Sequence, residues 1–476
     1  MPKLTSLLLL LTTVTITFVS GYTIIVPRDE AQEFPGGPGL WPEPDRYNTY
    51  PDVNWNRTYG AFEPQQIHLS IGDDSKFARV EFATLSSAQQ SAFRYWPKKH
   101  EYAIKNIQPE TWEFEDGGEA HRTIALYRAK TKYLRKGTVY SYQVGAYDDQ
   151  KLEWCWSAVY EFHTGSKRKE FSFLAIGDLG LNNAVALPQL IELSKTHKYD
   201  FLTLSGDQAY NMDDFDGIKG DQYMNLMQEV WARVPYLGVP GNHEGAYNYT
   251  HYKNRFKNVP FEDSNFENSL MYSINYKSLH LISFSTEVYF DGTDDMIQTA
   301  INWLDADLTE ANKHRKERPW IVLITHHPVY CSAPDTEDCT TKAQYLRDGK
   351  VNAATGERWG GLEPVLLKHK VDLYLTGHVH NYERTLPVAQ GKVAGNGALH
   401  NAASYVEVIN GNAGPPEATV MFNTTGPYED WSAVRYDSYG YSSVTVSPCF
   451  LEFTHHQVHL DGSLGNIVDR FTLTKD

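Results

Sequence analysis

Phe171-Ser172-Phe173-Leu174-Ala175-Ile176-Gly177-Asp178-Leu179-Gly180 is an apolar run that ends in a glycine-flanked carboxylate. Short apolar runs bounded by turn residues are typical of strands buried on both faces, and open α/β sheets carry their ligands beyond the carboxyl ends of such strands. The pattern recurs down the chain. Phe201-Leu202-Thr203-Leu204 leads to Gly206-Asp207-Gln208-Ala209-Tyr210, a carboxylate followed three residues later by a phenol. Tyr236-Leu237-Gly238-Val239 leads to Gly241-Asn242-His243-Glu244, an amide oxygen beside an imidazole. Ile321-Val322-Leu323-Ile324 leads to Thr325-His326-His327-Pro328, and Val371-Asp372-Leu373-Tyr374-Leu375 to Gly377-His378-Val379-His380. Amphipathic stretches, Val185 to Leu193 and Tyr223 to Trp231, separate several of these runs and predict helices. A lone Gly-Asp or His pair is commonly a turn or a surface group. Five such fragments in order, each after a buried run, predict a metal site, and their glycines let the backbone turn sharply and approach an ion closely.

Upstream of this α/β pattern the chain alternates in strand fashion. Gln66-Ile67-His68-Leu69-Ser70-Ile71, Ala78-Arg79-Val80-Glu81-Phe82-Ala83 and Thr138-Val139-Tyr140-Ser141-Tyr142-Gln143-Val144 predict a β-sandwich of fibronectin or immunoglobulin type over residues 64–165. It carries no clustered ligands and reads as a packing or positioning module. Gly165-Ser166-Lys167-Arg168-Lys169 reads as a solvated linker. A chain of 476 residues is too long for one ordinary domain, and 41% hydrophobic residues suffice for buried cores. A net charge of −16 argues against nucleic acid or an anionic membrane as the main partner. Small anionic substrates stay compatible, because a metal's local charge outweighs a distant acidic surface.

The N-terminus reads as a cleaved secretory signal peptide over residues 1–21: Lys3, an apolar stretch from Leu7, and Val19-Ser20-Gly21 before Tyr22. A signal anchor is the alternative, but Thr12, Thr13, Thr15 and Thr17 dilute a stretch already short for a bilayer. No later segment reads as membrane-spanning. Sequons at Asn56, Asn248 and Asn423 agree with secretion, with either a lysosomal or an extracellular destination. Cys331 and Cys339 bracket a short polar loop and are the natural disulfide pair in an oxidising compartment; Cys155 and Cys449 either pair with each other or stay free.

The five fragments, in this order, resemble those of the purple acid phosphatases, metal-dependent members of the calcineurin-like phosphoesterase superfamily. The stretch from Gly220 to Glu244 is especially similar, and the resemblance continues through Phe284-Ser285-Thr286-Glu287, Gly377-His378-Val379-His380-Asn381-Tyr382-Glu383-Arg384 and Tyr439-Gly440-Tyr441. It covers roughly residues 60–475 and is strongest to the long animal form. Leu323 departs from the family's usual valine. The resemblance implies the β-sandwich over 64–165 after an N-terminal extension (22–63), then a catalytic α/β domain of two packed mixed sheets flanked by helices (170–390). A C-terminal segment (400–475) packs on that domain. It further implies Asp178, Tyr210 and His380 as ligands of a ferric ion, Asn242, His326 and His378 as ligands of a divalent ion (zinc, iron or manganese), and Asp207 as the bridge. Hard anionic carboxylate and phenolate donors suit Fe(III), while the amide and imidazoles leave the second position less charged. Relatives that cleave phosphodiesters or phosphoproteins usually carry Asp-x-His in the first fragment; here Gly180 takes that histidine's place and Tyr210 supplies the phenol.

The implied activity is acid hydrolysis of small phosphate monoesters, releasing inorganic phosphate by in-line attack of a hydroxide held at the metal pair. Asn242 and His243 are the expected substrate contacts, and His243, next to ligand Asn242, is the expected proton donor to the leaving oxygen. Alternatives are a phosphodiesterase or nucleotidase with the same metals, or a non-catalytic secreted binding protein that keeps the fold. Plant members place two further histidines where this chain has Asp335 and Thr336, so those substrate contacts do not carry over. His327 reads equally as pocket lining or as packing behind a ligand. His455, His456 and His459 look like a cluster, but strand alternation sends His456 to the opposite face. Asp213, Asp214 and Asp216 lack calcium-loop spacing and read as a solvated loop.

Overall fold

The computed structural model describes residues 57–333 and 337–476, and before them only the backbone of a two-residue strand, Ile24–Ile25. The signal peptide and the sequon at Asn56 lie outside the described residues, as do Asp335 and Thr336.

The alternating segments form the expected sandwich. One sheet orders the strands Gln65–Ile71, Ala78–Thr84, Thr123–Lys130 and Glu110–Glu115; the other is built from Tyr160–His163, Val139–Asp148, Ser91–Pro97 and Lys105–Ile107, with Glu153–Trp156 beside Val139–Asp148. Every pairing is antiparallel. Ile67, Leu69, Val80 and Phe82 from one sheet meet Phe93, Tyr95, Tyr142 and Phe162 from the other in a single apolar core. The sandwich is locked to the α/β part through buried polar groups. Arg255 pairs with Asp221 at 2.8 Å and donates to Gln66 Oε1 at 2.7 Å, while Asn225 Oδ1 accepts the Gln66 amide at 3.0 Å.

The α/β part consists of two mixed sheets with helices around them. The larger contains, in order, Ser432–Tyr436, Tyr382–Thr385, Val406–Asn410, Leu373–Thr376, Trp320–Ile324, Leu279–Phe284 and Met271–Tyr276, with Ile24–Ile25 at its edge. The smaller orders Leu202–Leu204, Phe171–Ile176, Gly440–Val446, Phe450–Val458 and Leu464–Thr474. C-terminal strands are thus members of both sheets, and Trp320 Nε1 donates across to the Ser447 carbonyl at 2.7 Å. Helix Asp294–Lys313 buries Ile297, Ala300, Leu304, Leu308 and Ala311, three or four residues apart, so one stripe of an otherwise polar helix packs inward.

The apolar runs behave as read, with one exception. Tyr236–Val239 makes only isolated parallel bridges, Leu202 to Tyr236 and Ser205 to Val239. Pro235 and Pro240 withhold ladder N–H groups on either side, so the segment lies along the sheet edge without forming a strand. The two amphipathic stretches are helices, Leu187–Ser194 and Ile218–Trp231. His455 is fully buried and stacked on Tyr382, whereas His456 stacks on Tyr441, as alternation requires. Among the described residues no helix is long and apolar enough to cross a membrane.

Glu81, inside the sandwich strand Ala78–Thr84, has no exposed surface, and burial pushes its carboxyl up to about 8 against the pull of Arg128. The folded chain therefore keeps a proton that an unfolded chain releases near its ordinary value of 4.5, so the stability held below that pH is lost as pH rises through about 8. His68 and His456, held neutral by burial down to about 4, act in the opposite sense: they lose stability as pH falls below 6.5. Glu81→Gln is expected to melt at least about 2 °C higher than the parent near pH 8 and to show a smaller drop in Tm between about pH 5.5 and 8. Thermal melts of both proteins check this, and identical pH slopes would remove Glu81 as the cause.

Candidate metal centre

The site lies beyond the carboxyl ends of the parallel strands of both sheets, where the strand-end loops converge. Leu179–Gly180 and Gln208–Ala209 form a small parallel pair that sets the first two loops side by side, and the Asp178 amide donates to the Gly206 carbonyl at 3.1 Å. Asp178, Asp207, Tyr210 and His378 hold left-handed backbone, with φ of 57°, 53°, 56° and 66°. Each such non-glycine conformation costs about 1–3 kcal/mol and persists where the surroundings over-determine it, characteristically at functional sites. A Cβ on Gly206, whose φ is +87°, would run into the His326 ring, so only glycine fits that close approach.

All seven sequence-predicted ligands come together, in two groups. In the first, His326 Nε2 lies 3.0 Å from Asn242 Oδ1, and His378 Nδ1 lies 3.1 Å from each of them. In the second, Tyr210 Oη lies 2.9 Å from His380 Nε2 and 3.4 Å from Asp178 Oδ1, which is 3.6 Å from His380 Nε2. Asp207 lies between the groups: its Oδ2 is 3.3 Å from His326 Nε2, and ligand atoms of Asp207, Asp178 and His326 fall within 4.8 Å of one another. An ion bonded at about 2.1 Å to octahedrally arranged donors sets neighbouring donors about 3.0 Å apart, which is the spacing of the first group. The imidazole tautomers fit a cation as well. His326 Nδ1 is 2.8 Å from the Ser205 carbonyl and His380 Nδ1 is 3.1 Å from the Ala418 carbonyl, so each donates outward and leaves Nε2 facing the site. At His326 burial is outweighed by Asp207 and Asp178, which hold the ring well above the usual imidazole range, and a cation would take the place of the Nε2 proton.

The electrostatics ask for positive charge. Asp178, Asp207, Tyr210, His326 and His380 are buried, while Asn242 is exposed and His243 and His378 are half-buried. Burial, helped by Asp207, pushes the Asp178 carboxyl well up. Burial also raises Asp207, but His326, His243 and His378 around it outweigh that and hold it below the usual carboxylate range. Burial beside these carboxylates pushes the Tyr210 phenol well above its usual value, so it ligates as phenolate only against a strong Lewis acid. Burial lowers His378 and His380 to about 4, which keeps both rings neutral and able to coordinate.

Glu244 and Asn211 support the donors without any signal of their own in the sequence. Glu244, 2% exposed, accepts the backbone N–H of Asp207 at 3.0 Å, Gln208 at 2.8 Å and Gly241 at 2.8 Å, and so ties the second and third loops. His243 Nδ1 lies 2.8 Å from Asn211 Oδ1, its Nε2 is 3.9 Å from Glu417, and its ring packs on Tyr210. His327 is buried between Phe290 and His378 and contacts Glu287 at 3.3 Å, and one of its ring nitrogens lies within 4.8 Å of those of His326 and His378, so it borders the first group rather than standing apart from it. A cavity of about 560 Å3 opens beside Asn242, lined by Gly245, Tyr249, Leu270, Ser285, Asp291 and others, with exposed Asn248 on its rim. Asn423 is exposed in a turn closed by Thr425. Cys331 and Cys339 form a disulfide, and Cys155 and Cys449 are free thiols.

Three family models match in order: the N-terminal domain of purple acid phosphatases over residues 64–164, the calcineurin-like phosphoesterases over 171–382, and the C-terminal part of iron/zinc purple acid phosphatase-like proteins over 404–468. Acid phosphatase type 7 of Mus musculus is 33% identical over 88% of this chain and 92% of its own length, and that of Homo sapiens is 34% identical over 85% and 90%. Purple acid phosphatase 18 of Arabidopsis thaliana is 26% identical over 80% of this chain and 78% of its own. Among solved structures, a purple acid phosphatase from yellow lupin seeds shares the fold with a TM-score of 0.70 at 20% identity, covering 87% of this chain and 75% of that one. Fold, strand-end donors and relatives aligned over most of both chains agree: the chain belongs to the purple acid phosphatase family of calcineurin-like phosphoesterases.

Proposed function

We propose that this chain is a secreted acid phosphatase that hydrolyses small phosphate monoesters at a binuclear Fe(III)–M(II) centre, M being zinc, iron or manganese. The observation that carries the reading is the pair of three-donor groups with Asp207 between them, and the one phenol beside the buried carboxylate of Asp178. Asp178, Tyr210 and His380 would hold the ferric ion, Asn242, His326 and His378 the divalent ion, and Asp207 both. When bound, the ions neutralise phosphate charge and make a hydroxide nucleophile available at acid pH.

The protein's own groups do the rest. Asn242, on the exposed side, marks where a phosphate reaches the divalent position. His243 Nδ1–H donates to Asn211 Oδ1, which fixes the ring and leaves Nε2 to carry the proton that the departing alkoxide needs. The alcohol occupies the cavity beside Asn242, where Tyr249 and Leu270 offer apolar surface. The Cys331–Cys339 disulfide supports an oxidising destination, and exposed Asn248 and Asn423 are the proposed glycosylation sites.

The phenol gives a spectroscopic test. Oxidised protein is expected to absorb broadly in the visible by charge transfer from Tyr210 to Fe(III), and Tyr210→Phe to lose that band; an unchanged spectrum removes Tyr210 from the ferric site. Asp207→Asn is expected to lose one or both metals and nearly all turnover, and full metal content with near-parental turnover contradicts a bridging carboxylate. His243→Ala is expected to lose about 10²–10⁴-fold in kcat on alkyl phosphates and far less on nitrophenyl phosphate, whose leaving group needs little protonation. Equal losses along a leaving-group series, with metals retained, would reassign His243 to phosphate binding.

A further inference from the structure

Every imidazole that points into the two donor groups has its far nitrogen beside an acceptor. For His326 and His380 that acceptor is a backbone carbonyl, of Ser205 and Ala418. His378 is turned the other way round: Nδ1 faces Asn242 and His326, and the outward Nε2 lies 3.1 Å from Asp338 Oδ1. It is the one inward-facing imidazole of the three whose partner is a charged side chain.

Asp338 opens a turn that runs straight into helix Ala343–Asp348, whose Ala343 and Leu346 are buried. It stands one residue before Cys339, at the start of the helical turn Asp338–Lys342, and pairs with Lys342 at 2.8 Å. The Cys331–Cys339 disulfide ties this turn back to the chain that leaves the fourth strand-end loop. Its half-cystines pack with Ala333, Val379 and Ile409, and Val379 is the residue between His378 and His380. On the near side of the loop Ser332 is anchored by Glu383, which accepts from its amide at 2.8 Å and its hydroxyl at 2.6 Å. One end of the loop is therefore fixed to the sheet by a buried carboxyl, and the disulfide transmits that fixation to Asp338.

We propose that Asp338 is the positioning residue of the divalent-ion site: its carboxylate, 3.1 Å from His378 Nε2 though off the line of the ring N–H, holds the protonated nitrogen on the outer side and so orients the ring with the Nδ1 lone pair inward, and the Cys331–Cys339 disulfide keeps that carboxylate in reach. A carboxylate behind a ligating imidazole raises the ring's basicity and locks its orientation, and losing such a partner typically weakens metal binding about 10–100-fold. The inference rests on the assignment of Asn242, His326 and His378 to a divalent ion. It adds a link from a covalent cross-link, through a side chain outside the ligand set, to the affinity of one of the two positions.

The test uses the full-length iron-loaded protein, stripped of its divalent ion with a chelator and titrated with zinc against a fluorescent zinc indicator. Asp338→Asn is expected to bind zinc about 10–100-fold more weakly while the visible ferric band is retained, because Asp178, Tyr210 and His380 are untouched; Asp338→Glu is expected to recover part of the loss. Cys331→Ser/Cys339→Ser is expected to weaken zinc binding too, and adding Asp338→Asn to that pair to cost little more, since both changes remove one interaction. Parental zinc affinity in Asp338→Asn overturns the positioning role, and strictly additive losses overturn the part given to the disulfide. Loss of the ferric band in both Asp338→Asn and Asp338→Glu would assign the segment a general folding role and also overturn it. A parent that takes up no zinc would instead refute the metal assignment itself.

Discussion

Three buried carboxylates, each accepting backbone N–H groups from a loop other than its own, hold the centre of this protein together. Asp178 accepts from His378, Asp207 from His243, and Glu244 from Asp207 and Gln208, all between 2.8 and 3.1 Å. Hydrogen bonds to a charged acceptor are worth about 1.5–3 kcal/mol each, and more is lost when one partner is left buried and alone. The weave explains how four donor-bearing residues stay in left-handed backbone, and why the loops need no regular structure to be rigid. It also brings three carboxyl groups into a space that water hardly reaches, where burial pushes Asp178 and Glu244 well up; at Asp207 burial is outweighed by the surrounding imidazoles, which keep that one low. Such a site settles its charge by taking up protons or cations, so the two compete for it.

The rest of the architecture serves this convergence. Parallel strands from two sheets aim their carboxyl ends at one region, and the chain's last strands complete both sheets, so the site depends on residues far apart in sequence. Ala418 and Glu417, which face His380 and His243, come from the long connection between two of those late strands. The sandwich contributes no donor to the site. It buries the outer face of helix Ile218–Trp231 through Gln65, Gln66 and Ile67, and this helix follows directly on the loop of Asp207 and Tyr210.

The sandwich and the gathering of donors at the ends of buried runs were legible as local patterns, an alternation and a glycine beside a ligand residue, whereas the two mixed sheets and the choice of the seven donors came from the family resemblance. The Cys331–Cys339 pairing was legible as a local pattern too, since a short loop brings the two thiols close. Tyr236–Val239 misled because prolines at both ends, a feature of backbone hydrogen bonding, outweigh hydrophobicity. Asn211, Glu244 and Asp338 stayed hidden for a different reason. Each acts on a residue contributed by another segment, and a carboxylate or amide in a polar stretch looks the same whether it faces solvent or the back of an imidazole. Asn211 and Glu244 did sit within a residue or two of recognised donors, and that adjacency was the only signal available.

The two donor groups differ in how deeply they lie. Asp178, Tyr210 and His380 are closed off, whereas Asn242 is exposed and His378 half-buried. Under the proposed assignment the two ions then have separate kinetic lives. An ion held by Asp178, Tyr210 and His380 would exchange slowly, because its donors are buried and tied to one another through the interlaced loops. An ion held by Asn242, His326 and His378 would exchange faster through the exposed side of Asn242, so its identity would be the one open to change in the finished protein.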